Sequence, residues 1–373
     1  MRITRVTDPA QFLALRESWD NLLPSSAGNT LFLTFEWLST WWDVFGIDHE
    51  LCVLRIEEGN ELIGVAPLYY RTRHVAGLTL REIGLLGNQS VGSDFLGFII
   101  KQGHEQEVLS AITDELKQDP RWDRIMLDDV DGESAHIDSL RDLGRSSGCY
   151  VSQRPASTCP SMPLPATWDE FMAQPDKIFK RIVQRECVKK LHKRHQVELV
   201  ISVDSQPLDP WLQTLFELHT ERWHADGQPG AFDDPRMKEF YNTVSALFAR
   251  RGWLRLAALR VDGKVEVMEY GAVYGDAYYS LQGGCSARGL ELKAGHVLQY
   301  HIFESLVGHL REFRFLRGAE RYKYQWGCAD KWTTCVGLHR GIKAQITGRS
   351  QHAARLIKGT IKGIMRRGRS RRK

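Results

Sequence analysis

The order of predicted secondary-structure elements in the first half of the chain recurs in the second half. Tryptophan-rich helices come first, a two-stranded hairpin follows, and a strand, a helix and a strand end the unit. The hairpins are the clearest signal because each joins two β-rich runs through a short polar turn, as in ELCVLRIEEGNELIGVAPLYYR and LRLAALRVDGKVEVMEYGAVY. An order of elements that occurs twice predicts a duplicated α/β unit with a mixed sheet in each copy.

We predict three segments: a first lobe over residues 1–165, a second lobe over 166–340 and a basic tail over 341–373. The lobe boundary lies in a proline- and serine-rich stretch that ends at Pro165, and this composition predicts an extended linker because proline disfavours helix at the residue before it. Residues 168–195 predict a single helix with many lysine and arginine side chains. These cations fit a solvated helix face or a surface that holds an anionic substrate.

Composition excludes several classes of protein. The chain is 42% hydrophobic and 26% charged, which is typical of a folded protein and not of a disordered one. The seven cysteines form no Cys-x-x-Cys pair and no zinc spacing, so we expect reduced thiols, a cytoplasmic location and no metal site. The sequence contains no apolar run that resembles a signal peptide or approaches the roughly 20 residues that span a bilayer.

Charge is concentrated at the end of the chain. The net charge is +4, but residues 342–373 contain 11 Lys/Arg and no Asp or Glu, which leaves about −7 for the rest. Ile357, Ile361 and Ile364 fall near one face of a helix over the tail, a pattern that suits contact with anionic lipid at the inner face of a membrane or with a membrane complex such as a polysaccharide synthase. A disordered basic extension remains an alternative, while the lack of aromatic residues disfavours nucleic acid.

Two stretches of the second half can carry chemistry. LKAGHVL, residues 292–298, leads into a helix whose first amide groups could hold a pyrophosphate, since glycine allows close approach. FRFLRGAERYKYQWG, residues 313–327, places Glu320, Tyr322 and Lys323 after an apolar strand. A glutamate can act as general base, a tyrosine can protonate a thiolate, and a lysine can bind an anion. A surface loop with incidental charges is the alternative.

Several motifs resemble the CelD-type acetyltransferases associated with cellulose biosynthesis, a group of the GNAT superfamily. They are FELHTERW, LRVDGKVEVMEYGAVY and FLRGAERYKYQWG in the second half, with WWDVFG and LIGVAPLYY in the first. The resemblance covers most of residues 1–340. The chain also looks distantly like the Fem-type aminoacyltransferases, which share two tandem GNAT-like lobes. The resemblance implies an α/β fold of two tandem GNAT-like lobes, in which the second is catalytic and the first is a scaffold.

The resemblance also implies roles for individual residues. It implies acetyl-CoA or another acyl-CoA as donor and an amine or hydroxyl as acceptor, with no metal. The residues placed near the CoA pyrophosphate are Lys293, Ala294, Gly295, His296 and Val297. The catalytic set is Glu320, Tyr322 and Lys323, and the substrate-binding set is His219, Arg222, Trp223, Glu269, Arg317 and Trp326. The chain departs from the family at Arg314, where aspartate is usual, and at Met268, where a small alanine is frequent, and both put the acceptor pocket in question.

We therefore expect an acyltransferase of cell-envelope polysaccharide biosynthesis. Two other functions stay open at this point. A catalytically inactive pair of lobes could serve as an assembly factor for a polysaccharide synthase. A Fem-like enzyme would instead transfer an aminoacyl group from tRNA, and its RNA binding would weaken steeply with salt.

Overall fold

The computed structural model describes residues 1–88, 91–174, 177–202, 207–351 and 353. In chain order the described part of the first half comprises β1 (Arg2–Val6), α1 (Pro9–Leu13), α2 (Arg16–Leu22), α3 (Phe35–Phe45), β2 (Glu50–Glu58), β3 (Glu61–Val75), β4 (Leu78–Leu85), β5 (Ile99–Ile100), α4 (Glu105–Gln118), β6 (Arg124–Asp131), α5 (His136–Ser146) and β7 (Tyr150–Pro163).

The second half repeats this order after a broken helical segment. It comprises α6 (Trp168–Ala173), α7 (Lys177–Ile182), a π-type helical segment (Val183–Lys189), α8 (Lys190–Arg194), β8 (Val197–Ser202), α9 (Leu208–Ala225), α10 (Pro235–Arg250), β9 (Leu254–Val261), β10 (Lys264–Tyr274), β11 (Ala277–Cys285), α11 (Ala287–Glu291), α12 (Ala294–Leu306), β12 (Glu312–Arg314), α13 (Arg321–Gln325), β13 (Ala329–His339) and α14 (341–351).

All strands of the described residues belong to one mixed sheet of 13 strands. Its order is β1-β2-β3-β4-β6-β13-β7-β12-β11-β10-β9-β8, with β5 paired to β3. In each half four antiparallel strands are followed by one parallel pair, β4 with β6 and β11 with β12. The order β1-β2-β3-β4-β6, read from one end of the sheet, corresponds to β8-β9-β10-β11-β12, read from the other end. This correspondence confirms the predicted duplication and the α/β mixed-sheet fold.

The two halves exchange their last strands. β7 ends the first half of the chain but pairs with β12 of the second, while β13 ends the second half and pairs with β6 of the first. β7 and β13 also pair with each other along most of their length. The predicted lobes, 1–165 and 166–340, are therefore joined at the centre of one sheet, and each lobe is completed by a strand of the other.

The prediction of a linker between the lobes is wrong, because this stretch belongs to a strand of the sheet. Residues 154–163 are extended, as predicted, but they form the second part of β7 at the middle of the sheet. Proline has no amide proton to donate, so a strand tolerates it where only its carbonyl is required as an acceptor or where the register between the strands shifts. The carbonyl of Pro160 accepts from the Phe315 amide at 2.9 Å, and Pro155 lies opposite Thr334 beside a register shift.

The predicted single helix over 168–195 is also wrong in part, because it is interrupted after Ala173 and contains the π-type segment. This segment packs on α12, where Gln184 donates to the Tyr300 hydroxyl at 3.1 Å. Most lysine and arginine side chains of residues 168–195 are exposed to solvent. Lys180 is fully buried instead, and it donates to the carbonyl of Phe171 at 3.0 Å. It is a structural residue.

The halves also share a hydrophobic core. The Trp37 ring of α3 lies 4.8 Å from the Phe240 ring and is stacked 6.0 Å from the Phe248 ring, both on α10. Beside them, the buried Glu36 carboxylate accepts from Arg251 at 2.7 Å. This contact fixes α3 and α10 against each other across the two halves. Within the described residues, no helix combines the length and apolar character needed to cross a membrane.

Candidate active site

A pocket of about 290 Å³ lies in the second half, where β10 and β11 face the start of α12. All of its lining residues lie between Arg222 and Tyr322. The pocket opens where the sheet splits. β11 pairs with β12 only from Ala277 to Tyr279, and the chain after Arg314 turns away to follow β7, where Phe315 and Gly318 donate to its carbonyls.

Glu269 of β10 is the carboxylate of this pocket. Although it is partly accessible through the opening, the protein around it removes enough water to raise the pKa of the carboxyl to about 7. Hydrogen bonds from Tyr278 and Ser280 and the charge of Lys323 act in the opposite direction and lower it less. A carboxylate with a pKa near neutrality can accept a proton under ordinary conditions and release it again.

The contact between Tyr278 and Glu269 depends on a glycine. The Tyr278 hydroxyl donates to Oε1 of Glu269 at 3.0 Å. To reach it, the tyrosine passes over Gly271, where an added Cβ would lie 2.1 Å from the hydroxyl oxygen. Because Gly271 has no side chain, the Tyr278 hydroxyl has room to reach the Glu269 carboxylate.

Tyr322 lines the same pocket. Its ring packs edge-on against Phe315 at 5.9 Å. Burial, and after it the charges of Glu269 and Glu320, raise the pKa of the phenol well above its usual range. Tyr322 is therefore protonated at neutral pH and can donate a proton.

The start of α12 lies at the pocket opening and suits an anion. Lys293 adopts a left-handed backbone with φ of 54°, a conformation that is strained for a residue with a side chain, and no side chain caps the helix. A Cβ added at Gly295 would meet no atom within 4 Å. The first-turn amides, the Lys293 ammonium and this open space form an anion cradle at a 13-residue helix.

Two further polar groups of the pocket are available to a ligand. The Gln299 side chain, one helical turn beyond Gly295, is 6% exposed, and its Nε2 has no hydrogen-bond partner among the described residues. The edge of β11 that faces away from β10 has no strand partner beyond Tyr279 in the described part of the chain. An elongated ligand with amide groups could pair with both.

Lys323, predicted to be catalytic, has all its donors occupied. It is 4% exposed, and its Nζ lies 3.3, 2.8 and 3.1 Å from the carbonyl oxygens of Leu316, Arg317 and Gly318. It also pairs with Glu320 at 2.9 Å. Leu316 and Gly318 have positive φ values of 59° and 108°, so the ammonium holds a strained turn that precedes Tyr322. Lys323 positions the site and is not free to bind a substrate.

Arg317 and Trp326, predicted to bind substrate, are also engaged elsewhere. The Arg317 guanidinium crosses to the first half, where it lies 2.8 Å from Asp94 and 3.4 Å from Asp129. Burial raises the pKa of the Asp94 carboxyl despite this pairing. The Trp326 ring is completely buried, 4.9 Å from Phe303. Arg317 and Trp326 therefore fix the segment on either side of Tyr322.

The remaining predicted residues divide into two groups. Those that line the pocket are Arg222, Glu269, Lys293, Gly295, His296 and Tyr322. Of the others, Ala294 and Val297 are fully buried, and the Val297 amide already donates to the Lys293 carbonyl at 3.4 Å, while Glu320 lies at the surface beside Lys323. His219 is buried behind β11 with its pKa lowered to about 4 by burial, and Trp223 next to it is 43% exposed.

The two departures from the family pattern have different outcomes. Met268 is buried and lines the pocket beside Glu269, so it does shape the space for a ligand. Arg314 lies away from it, where it donates to the Tyr279 hydroxyl at 2.9 Å and to Glu312 at 2.8 Å. The effect of Arg314 on the pocket is therefore indirect.

The equivalent helix of the first half is unsuited to an anion. α4 corresponds to α12 in the duplicated order, but its first turn carries Glu105 and Glu107, and Glu105 accepts from the Gly103 amide at 2.9 Å. Acidic side chains already neutralise this helix start. The anion cradle thus exists at α12 and not at its counterpart.

The sequence analysis missed the cluster formed by Tyr278, Gln299 and the glycines of β11. One signal was available, because a glutamate within the apolar run of β10 faces two consecutive glycines of β11. Glu269 pairs with Gly283, and Met268 pairs with Gly284. In the part of the chain that the structure describes, no group of three or more His, Cys, Asp or Glu is arranged to hold a metal ion.

Residues 180–324 match the family described as acetyltransferase (GNAT) domain. Residues 180–324 are a GNAT acetyltransferase domain. This match contains the whole pocket, from Arg222 to Tyr322, and it makes the chain a GNAT-type acyltransferase. A comparison with curated protein sequences gives no match.

Solved structures show the same fold over almost the whole GNAT-containing chain. The crystal structure of FemX is 14% identical with a TM-score of 0.60 and covers 90% of this chain and 97% of its own. A conserved protein of unknown function from Bacteroides thetaiotaomicron is 11% identical with a TM-score of 0.54, covering 91% and 100%. L-PGS from Bacillus licheniformis is 9% identical with a TM-score of 0.51, covering 91% and 94%. At these identities the likeness concerns the fold alone.

Proposed function

We propose that the chain transfers an acyl group from acetyl-CoA or a related acyl-CoA to an amine or hydroxyl, with Glu269 as general base and Tyr322 as general acid. One observation carries this assignment. A carboxyl whose pKa is raised to about 7 and a phenol that stays protonated both line a pocket that ends at the anion cradle of α12. Groups with pKa values shifted in this way concentrate at catalytic sites.

The proton inventory fits acyl transfer. Glu269 would take the proton of the acceptor amine or hydroxyl, directly or through a water, as nitrogen or oxygen attacks the thioester carbon. When the carbon–sulfur bond breaks, the thiolate would take the proton of Tyr322. Proton exchange with solvent then restores both residues. Glu320, the base predicted from the sequence, lies outside this pocket and is replaced by Glu269 in the proposal.

The donor would lie along β11 with its pyrophosphate at α12. Lys293 and the first-turn amides would face the phosphates, and Gln299 would donate to a carbonyl of the donor's amide-bearing arm. The acceptor would enter from the side of Arg222 and Met268. As the CelD-type resemblance implies, we place this reaction in cell-envelope polysaccharide biosynthesis.

The experiment that tests the base compares two glutamates. Glu269→Gln should lower kcat by about 100- to 10,000-fold while acetyl-CoA affinity stays within a few-fold, because a general base acts in the transition state. Glu320→Gln is the matched control and should retain most of the activity. If the control lost turnover and Glu269→Gln kept it, the base would be Glu320 as first predicted.

The pH dependence gives an independent check. Only ionised Glu269 can accept a proton, so kcat/KM should rise with pH, reach half its maximum near pH 7, where half the carboxyl is ionised, and level off at higher pH. The residual activity of Glu269→Gln should lack this inflection. An unchanged inflection in the variant would assign it to another group.

Donor binding separates an enzyme from an inactive assembly factor. Calorimetric titration of the wild-type protein with acetyl-CoA should show binding, and Gly295→Asp should weaken it, because the added carboxylate would lie in the open space of the anion cradle. Gly295→Asn is a control of nearly equal size without the charge and should weaken binding less. No binding to wild type would favour the assembly role, and binding of tRNA in its place would favour aminoacyl transfer.

A further inference from the structure

A second pocket, of about 330 Å³, lies in the first half of the molecule at the start of α4. Its lining comes from the loop before α3, the segment before β5 and the turn between β6 and α5. The second half contributes Arg314 of β12 and Lys331 of β13. Among the described residues, none lines both this pocket and the one at the start of α12. The two are separate sites.

Part of the lining of this second pocket is apolar and buried. The side chains concerned are Leu33, Phe95, Leu96, Phe98 and Leu109. The His136 ring packs against the Phe98 ring, with their centroids 5.0 Å apart. Sites for small molecules combine a lining of this kind with a few fixed polar groups that orient the ligand.

His136 supplies one of these polar groups. Its Nδ1 accepts from the Phe98 amide at 3.4 Å, and burial lowers the pKa of the imidazole to about 4. The ring is therefore neutral near pH 7 and carries its proton on Nε2. Within the described part of the chain Nε2 has no hydrogen-bond partner, so a ligand in the pocket can accept from it.

Thr30 supplies another polar group without a partner. The residue is 8% exposed, and its Oγ1 makes no hydrogen bond to the described residues. The side chain does not cap the short helix Leu31–Leu33 that follows it. A buried hydroxyl without a partner is unfavourable, and a ligand that pairs with it would remove this cost.

Charged side chains of both signs complete the pocket. Arg314 and Lys331 both pair with Glu312, at 2.8 and 2.6 Å. Three carboxylates also line the pocket, those of Glu105, Asp131 and Glu133. The carboxylates outnumber the cations, which disfavours an anionic ligand such as a phosphate. Donors beside acceptors suit hydroxyl groups instead, because each hydroxyl both donates and accepts.

We propose that this pocket binds an uncharged sugar, whose hydroxyl groups pair with Thr30 and His136 and whose C–H groups lie against the apolar lining. A zwitterionic amino acid is the competing ligand, since it could set its carboxylate against Arg314 and its ammonium against Asp131. The unpartnered groups, Thr30 and the neutral His136, are uncharged and favour the sugar, because charges beside buried apolar side chains lose hydration. Sugar binding here goes beyond acyl transfer and does not depend on it.

Saturation-transfer NMR of the full-length protein tests the pocket. The probes are D-glucose, D-galactose, D-mannose and N-acetyl-D-glucosamine, and at least one of them should receive saturation with a measurable dissociation constant. Glucose 6-phosphate should bind no more tightly than glucose, because of the excess of carboxylates. Glycine, a zwitterion without hydroxyl groups, should not compete with the sugar.

Two variants connect the signal to the pocket. Ala135→Trp should weaken sugar binding at least about tenfold, because the indole would occupy the space beside an exposed lining residue whose side chain makes no capping bond. Ala14→Trp is the matched control, since Ala14 is exposed and lies outside the lining. Thr30→Val should weaken binding about two- to tenfold, the value of one hydrogen bond. Because the Thr30 hydroxyl has no protein partner, a purely structural residue would leave binding unchanged.

Three outcomes overturn the proposal. They are no saturation of any of the four sugars, sugar binding that is unchanged in Ala135→Trp or in Thr30→Val, and tighter binding of glycine or glucose 6-phosphate than of the sugars. Circular dichroism and acetyl-CoA affinity, both expected to stay as in wild type, show that each variant is folded. None of these outcomes bears on Glu269, or on the lipid contact predicted for residues 357–364, which lie outside the described residues.

Discussion

At the scale of the residue, the site shows that the role of a charged side chain depends on its partners. Lys323 and Glu320 stand in the most specific motif of the sequence, yet the ammonium of Lys323 is saturated by three carbonyls, and Glu320 pairs with it at the surface. Glu269 stands in an ordinary strand and faces the pocket. The most specific motif thus contains two charged side chains that pair with each other, whereas the carboxylate that lines the pocket comes from another strand.

Lys323→Ala should destabilise the fold by about 2–4 kcal/mol, because it leaves buried carbonyls of the strained turn without a donor. Activity should fall with stability, since Tyr322 follows this turn, while acetyl-CoA affinity changes little. Lys331→Ala is the matched control, because Lys331 is half exposed and pairs with Glu312 at the surface, so its loss should cost well under about 1 kcal/mol. Urea denaturation measures both. Equal stability of the two variants would contradict the structural role of Lys323.

The sequence could predict which residues are polar and near the site, but not which of them are desolvated. The raised pKa of Glu269 arises from burial in the folded sheet, which the hydrogen bond from Tyr278 offsets only in part. The unpartnered amide of Gln299 likewise has no signature in its helix. Tyr322, Arg222 and Gly295 were predicted to belong to the site, and all three line the pocket.

At the scale of the element, α9 and β11 approach each other closely enough that only glycine fits between them. A Cβ at Gly284 would lie 2.5 Å from the His219 amide nitrogen and 2.7 Å from the Leu218 carbonyl carbon. This approach sets the distance of Arg222, one turn further along α9, from the pocket. The glycine of the strand therefore positions a helix.

Gly284→Ala should destabilise the protein by about 1–3 kcal/mol, because the backbone of α9 must move to admit the methyl group. The adjacent Gly283→Ala is the matched control, since its Cβ would meet only the Met268 carbonyl oxygen at 3.6 Å, an ordinary contact. The control should change stability by less than about 1 kcal/mol. Thermal unfolding of both variants checks the prediction, and equal melting temperatures would contradict the close approach.

Elements with strong local signals could be predicted, and those that depend on distant partners could not. Both predicted hairpins form, as β2 with β3 and as β9 with β10. β7 could not be recognised as a central strand, because its prolines argue against one and its partners β12 and β13 lie more than 140 residues away. The strand predicted from Phe313 shortens to Glu312–Arg314 because the chain leaves β11 to open the pocket.

At the scale of the whole molecule, the strand exchange makes the two lobes one cooperative unit. Residues 1–165 alone would lack β13 beside β6, and residues 166–373 alone would lack β7 beside β12. Each half would expose an unpaired strand edge, at β6 or at β12, where the two halves meet in the intact sheet. The anchor of Arg317 on Asp94 and Asp129 would also be lost, and with it the support of the Tyr322 turn.

We therefore expect neither half to fold when it is expressed alone, whereas co-expression of 1–165 with 166–373 should restore acetyl-CoA binding. Calorimetry of the intact chain should show one unfolding transition, because no subset of strands is complete. Circular dichroism and gel filtration of each fragment provide the measurement. A monomeric, cooperatively folded 166–373 that binds acetyl-CoA would contradict the prediction.

The strand exchange has a consequence for how the protein is made. β13 lies between β6 and β7, so the first half cannot close until His339 has left the ribosome. About 180 residues separate Pro163 from His339, and synthesis of that length takes roughly 10 to 35 s. During this time β6 and β7 of the nascent chain have no strand between them, and their edges are unpaired. Its yield in the cell should therefore depend on translation speed and on chaperones that shield unpaired strands.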